Sequence, residues 1–104
     1  MDKRTYCLFD HKANIYLNPL TFLNDGEAIR WFTTIVNSNE KTNVSLYPKD
    51  FTLCYLGTFN DVSGQFINDG KELIPGNAVK NTEEKLTLKE IYEFMQKEIT
   101  KGSN

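Results

Sequence analysis

The 104 residues carry 12 basic and 14 acidic side chains, and 39% of them are hydrophobic and 25% charged. A chain of this length makes one domain, and an aromatic content of 12% excludes the aromatic-poor composition of disordered chains. The net charge of -2 and a pI near 5.3 exclude a protein that holds nucleic acid through a broad basic surface. Residues 1–36 hold four basic and four acidic groups, 37–80 four and five, and 81–104 four and five. Any nucleic-acid site must therefore be local and must lean on aromatic rings.

Thr5-Tyr-Cys-Leu-Phe9 favours a strand, the polar stretch from Asp10 to Asn14 suits a turn, and Ile15-Tyr-Leu17 resumes the strand pattern. This predicts a hairpin. Pro19 has no N–H to give a ladder, so the second strand is an edge or is broken there, and Leu20 to Leu23 leads onward. Asn24 is placed to cap a helix, with Glu27 completing a capping box. Ala28, Ile29, Phe32, Ile35 and Val36 then recur at helical spacing, so the helix ends near Asn37 to Asn39.

Asn37 through Pro48 is polar and rich in helix breakers, which predicts a mobile loop. From Phe51 the alternation puts Phe51, Leu53, Tyr55 and Phe59 on one face of a strand and Thr52, Cys54, Leu56 and Thr58 on the other. Asn60 to Gly64 is turn chemistry, and Gln65-Phe-Ile67 is the return strand of a second hairpin. Asn68 to Lys80, with Gly70, Pro75 and Gly76, reads as irregular, and Asn81 to Lys85 as a charged connector. A last helix is capped by Thr87 and boxed by Glu90, with Leu88, Ile91, Tyr92, Met95 and Ile99 along one stripe.

The expected fold is α+β, with an antiparallel sheet of about four strands in the order β-β-α-β-β over residues 1–80. Residues 81–104 form a linker and C-terminal helix, either part of the same domain or an oligomerisation element. The expected core contains Leu8, Leu17, Phe22, Ala28, Phe32, Ile35, Leu53 and Tyr55.

Catalytic constellations are missing from the sequence. The one histidine, His11, falls in a turn, and the glycines are isolated, so neither a phosphate-binding loop nor a dinucleotide fingerprint is present. Asp25, Glu27, Glu90 and Glu93 lie where helix N-termini favour negative charge. Cys7 and Cys54 have neither zinc-site nor disulfide-scaffold spacing, and they read as free thiols in a reducing compartment. No cofactor, metal or enzymatic activity is expected. The chain starts with charged residues, and no apolar run of about 7–15 residues follows, which argues against a signal peptide. No stretch approaches the roughly 20 apolar residues of a membrane span, so no membrane partner is expected.

The five Tyr, seven Phe and one Trp point instead to recognition, since single-stranded nucleic acid is bound by stacking bases on exposed rings. Tyr6 and Tyr16 alternate with apolar neighbours, and Tyr47 sits beside Pro48-Lys49. If those neighbours face the core, Tyr6, Tyr16 and Tyr47 form a stacking platform, with Trp31 beside the helix stripe. Arg4, Lys12, Arg30 and Lys49 are then the phosphate contacts. Each ring alone is as well explained by core or strand pairing. The last helix offers a second mode, a homo-oligomer made through Ile91, Tyr92, Met95 and Ile99 or through Trp31, although packing on its own domain explains the stripe equally.

Three ordered segments carry a family resemblance. They are Phe9-Asp-His-Lys-Ala-Asn-Ile-Tyr-Leu17, then Gly26-Glu-Ala-Ile-Arg-Trp-Phe32 with Val36-Asn37, and then Tyr47-Pro-Lys-Asp-Phe-Thr-Leu53 leading to Leu56-Gly-Thr-Phe-Asn-Asp-Val-Ser-Gly-Gln-Phe66. Across roughly residues 6–80 this set resembles the small nonstructural protein of gokushovirus-type microviruses, tailless single-stranded DNA phages of bacteria. The resemblance implies a bacteriophage protein of the host cytoplasm, absent from the capsid and concerned with DNA binding, replication or genome maturation. The helix from about Glu83 to Lys101 has no counterpart in that pattern. The expected function is thus single-stranded DNA binding, with a protein-interaction or assembly factor as the competing class.

Overall fold

A computed structural model describes residues 1–80, which build one antiparallel sheet with helices on one of its faces. Strand β1 (Asp2–Asp10) is central, and β2 (Ile15–Tyr16) and β3 (Leu20–Phe22) lie end to end along one of its edges. Pro19 stands between those two short strands, where its missing N–H interrupts the ladder. On the other edge of β1 runs β4 (Phe51–Asn60), and β5 (Phe66–Pro75) pairs with β4 to complete the order β2-β1-β4-β5, with β3 also on β1. The expected α+β class with a small antiparallel sheet is the fold found.

Helix α1 (Asp25–Val36) starts where the side chain of Asn24 accepts the N–H of Glu27 at 2.9 Å. Its apolar stripe then fills the core: Ala28, Ile29, Phe32 and Val36 are fully buried against Tyr6, Leu8, Leu53 and Ile74. Leu17, Phe22, Trp31 and Ile35 pack at the margin of this cluster. Truncating Phe32, which has no exposed surface, is the kind of change that costs roughly 3–5 kcal/mol.

Three local expectations need correction. Asn37 to Pro48 is not a continuous loop, because Thr42 and Ser45 form a reciprocal capping box that starts a one-turn helix, α2 (Asn43–Leu46). A 3-10 turn at Pro48–Asp50 follows it. Asn68 to Pro75 is not irregular, because its backbone is paired to β4 through Gly57↔Asn68, Tyr55↔Lys71 and Leu53↔Ile74. Ladder hydrogen bonds outweigh the poor strand propensity of Asn68-Asp-Gly70 there. A short helix α3 (Gly76–Val79) ends the described chain, and the Lys80 ammonium donates to the carbonyls of Val36 at 3.1 Å and Ser45 at 3.5 Å.

The third correction concerns β4. Tyr6 pairs with Tyr55, but Thr5 pairs with Gly57, so Leu56 is an extra residue that shifts the register of all that follow. Gly57 takes φ +144, a backbone region closed to other residues, and absorbs the irregularity. Phe59 therefore pairs with Lys3 and shares the face of Leu56, not the face of Tyr55 as simple alternation predicts. The C-terminal helix expected from Thr87 to Ile99 lies outside the described residues.

Candidate nucleic-acid interface

The turn joining β1 to β2 is fixed by its own polar groups. Asp10 Oδ1 accepts the backbone N–H groups of Lys12 at 2.9 Å and Ala13 at 3.1 Å, an Asx turn that lets Asn14 adopt φ +58. The N–H of His11 donates to the carbonyl of Asp50 at 2.8 Å, which ties this turn to the start of β4. On the sheet face away from α1, Phe9 lies between two rings, with centroids 4.6 Å from Tyr16 and 4.8 Å from His11. A ring nitrogen of His11 is 2.8 Å from Thr52 Oγ1. Tyr16 is thereby braced from one side while 63% of its surface remains exposed.

Beside this turn lies a shallow cleft of about 320 Å³ lined by Asp10, Lys12, Asn43, Tyr47, Asp50 and Phe51. Tyr47 reaches it from the end of α2, where its N–H donates to Asn43 at 2.8 Å and its carbonyl accepts from Asp50 at 3.0 Å. Tyr47 is 54% exposed. The cleft thus combines one cation, one exposed ring and the amide of Asn43, with two carboxylates at its wall, of which Asp10 is partly engaged by the turn. Lys49 projects from the neighbouring 3-10 turn and is exposed.

The other expected site residues are placed differently. Tyr6 was expected on an exposed face but has no accessible surface. Its ring packs edge-on against Phe22 and Tyr55, and its hydroxyl donates to Asp25 Oδ1 at 2.6 Å. Tyr6 lies two residues before Leu8 on β1 and so shares its core face, in register with Tyr55, while Cys7 and Phe9 take the other face. Arg4 lies 4.2 Å above the Tyr55 ring and is held by Tyr6 Oη at 2.8 Å and Asp25 Oδ1 at 2.7 Å. Burial pushes the Tyr6 phenol well above its ordinary value. The hydrogen bond to Tyr6 raises the Arg4 guanidinium further, against the opposing effect of burial. For Asp25 burial works upward, but the hydrogen bonds from Tyr6 and Arg4 outweigh it and hold the carboxyl below the usual range. Arg4 and Tyr6 are therefore together, but in a closed network.

Arg30 is exposed on α1, 3.8 Å from Glu27, and Trp31 is half-buried with its ring 5.4 Å from Phe22. Neither lines the cleft. Sequence reasoning missed Asn43, Phe51, Phe9 and His11 as parts of this region. The Phe9-x-His11 spacing was a usable signal, since alternate strand positions share a face, but the approach of Asn43 depends on a helix that the breaker-rich loop concealed.

Among the described residues no group of three His, Cys, Asp or Glu side chains is placed to hold a metal, and no helix is long and apolar enough to cross a membrane. Burial raises both thiols, and Cys54 is pushed up to about 11 by burial with the neighbouring Cys7 and Glu72.

Comparison with known proteins places this architecture in a family. The Phage ORF5 protein family matches residues 3–81, a span that includes the whole cleft. Protein ORF5 of Chlamydia phage 1 is 36% identical over 64 residues, covering 59% of this chain and 67% of that protein. No solved structure matches. With both hairpins, α1 and the cleft inside the matched span, the chain belongs to the phage ORF5 protein family, in line with its resemblance to the small protein of gokushovirus-type microviruses.

Proposed function

We propose that this protein binds single-stranded DNA as an accessory to phage genome replication or maturation, and that it does so without catalysis. The observation that carries the reading is the adjacency of Lys12 and Tyr47 in one cleft, with the braced and exposed Tyr16 on the strand that follows the same turn. Rings stack bases without regard to sequence at roughly 1–3 kcal/mol per base, and a cation between them meets the backbone phosphate. A stacking mode suits a protein of net charge -2 better than phosphate binding alone.

The absence of catalysis is supported by the state of the nucleophile candidates. Cys7 and Cys54 are buried thiols with raised pKa values, whereas reactive cysteines have lowered ones, and the His11 ring is engaged by Thr52. Titrating a fluorescent oligonucleotide of about 20 bases tests the reading. Binding should weaken with salt at a shallow slope, near 0.7 per phosphate contact on a logarithmic scale, because few cations take part.

A protein partner is the second reading, and β5 favours it. This is an edge strand with Phe66 and Ile67 exposed, the kind of surface to which another strand can add. Sedimentation with and without DNA separates the two, since an assembly factor associates when no DNA is present.

A further inference from the structure

Strand β5 forms one edge of the sheet for 10 residues, and among the described residues no strand and no side chain takes its outer N–H and C=O groups. Every side chain from Phe66 to Glu72 is exposed, and Asp69, Lys71 and Glu72 stand in no salt bridge among the described residues. The opposite edge is short and broken. There β2 and β3 have 2 and 3 residues and are separated at Pro19.

Charged side chains often guard an edge strand, because a copy brought alongside meets its own charges. On β5 the two signs straddle Gly70 instead. When two identical strands pair antiparallel about a two-fold axis at Gly70, Asp69 of each copy lies opposite Lys71 of the other, Asn68 opposite Glu72, and Ile67 opposite Leu73. Moving the axis by one residue sets Asp69 against Asp69 or Lys71 against Lys71. Among two-fold registers of β5, the one at Gly70 alone brings opposite charges together.

We propose that the chain forms a two-fold dimer by pairing β5 with β5 of a second copy, antiparallel and centred on Gly70. This rests on the reading of β5 as a protein-binding edge and not on DNA binding. Each copy has one long open edge, so the pairing closes at two chains. The ladder runs from Ile67 to Leu73 with few apolar side chains, which puts the interface in the small, transient class below roughly 1,200 Å².

The test is sedimentation of the full chain without DNA at about 20 to 400 micromolar, together with cysteine cross-linking. The unaltered chain should dimerise across that range. Asp69→Lys and Lys71→Asp should each weaken self-association about tenfold, because like charges then meet at both ends of the ladder. An equimolar mixture of the two single variants should dimerise again, since each supplies the charge the other lacks. Under mild oxidation Gly70→Cys should give a disulfide-linked dimer, its two copies facing each other at about 5 Å between Cα atoms. A Cβ at Gly70 meets nothing closer than 3.5 Å, so the side chain fits. Ile67→Cys, about 20 Å from its own copy in this register, should not cross-link. Urea unfolding followed by Trp31 fluorescence shows that each variant is folded, and the cysteine pair decides the register even if a charge variant is not. A monomeric chain at about 400 micromolar overturns both the dimer and the reading of β5 as a self-assembling edge. Self-association that ignores the charge variants, or that cross-links Ile67→Cys as readily as Gly70→Cys, overturns the β5 register alone and moves the second copy to another surface.

Discussion

Tyr6 donates its hydroxyl proton to Asp25 across 2.6 Å, joining the central strand to the first turn of α1, and Arg4 meets the same carboxylate oxygen at 2.7 Å. Three polar groups at the edge of the core are thereby satisfied together, and no buried side-chain polar atom among the described residues lacks a partner. Removing the shared acceptor leaves two donors behind. Asp25→Ala should lower the unfolding free energy by about 2–3 kcal/mol and Tyr6→Phe by about 1 kcal/mol, measured by urea denaturation at neutral pH.

The same carboxylate gives the stability an acid dependence of defined sign. Its folded pKa lies below the ordinary value, so its contribution is complete above the unfolded pKa near 4 and is lost as pH falls through the folded value. The gap in urea midpoint between the unaltered chain and Asp25→Asn should therefore close as pH drops from about 5 to about 2.

At alkaline pH the sign is reversed by the thiols. Cys54 is held neutral up to about 11, so stability should fall as pH rises from the ordinary thiol range through that value. Cys54→Ala should show a flatter alkaline limb in the same titration.

Gly57 concentrates the backbone demands of the fold. Its φ of +144 excludes other residues, and a Cβ there would run into the carbonyl oxygen of Ile67 on β5. Gly57→Ala should cost about 2 kcal/mol or more, and it should loosen the distal β4–β5 hairpin first. Amide hydrogen exchange of Thr58, Phe59 and Ile67 checks both parts. Gly64, at φ +76 with open space around it, should tolerate alanine better, through backbone strain alone.

What could be read from the sequence follows from how local each signal is. The Asn24 cap with its helical stripe and the interruption at Pro19 are near-neighbour effects, and both are present in the fold. The bulge at Leu56 is set by pairing across strands far apart in sequence, so alternation put Phe59 on the wrong face. Tyr6 looks exposed when its neighbours Cys7 and Phe9 are placed on the core side of β1, whereas that side is the one of Tyr6 and Leu8. Ile74 escaped the expected core because only the ladder to β4 turns a glycine- and asparagine-rich stretch into a strand, and Val79 because it sits in the short helix α3 that follows. In the candidate site, Lys12, Tyr16 and Tyr47 were legible as a ring and cation pattern. Asn43 was not, because it joins through the short helix α2, and Phe51, at the start of β4, reads from the sequence as a core-facing strand residue.

The cleft also separates cations that should matter from those that should not. Lys12 lines it, whereas Arg30 lies on α1 beside Glu27. Lys12→Ala should weaken single-stranded DNA binding about threefold to tenfold at low salt and reduce the logarithmic salt slope by roughly 0.7, while Arg30→Ala should change neither.

The central claim is stacking on Tyr16 and Tyr47, and fluorescence anisotropy tests it most directly with an oligonucleotide of about 20 thymidines at low salt. Binding is expected at micromolar protein, weakened at least fivefold in Tyr16→Ala/Tyr47→Ala, with urea unfolding of the variant unchanged. No binding by the unaltered chain, or equal binding by the folded double variant, would contradict the account.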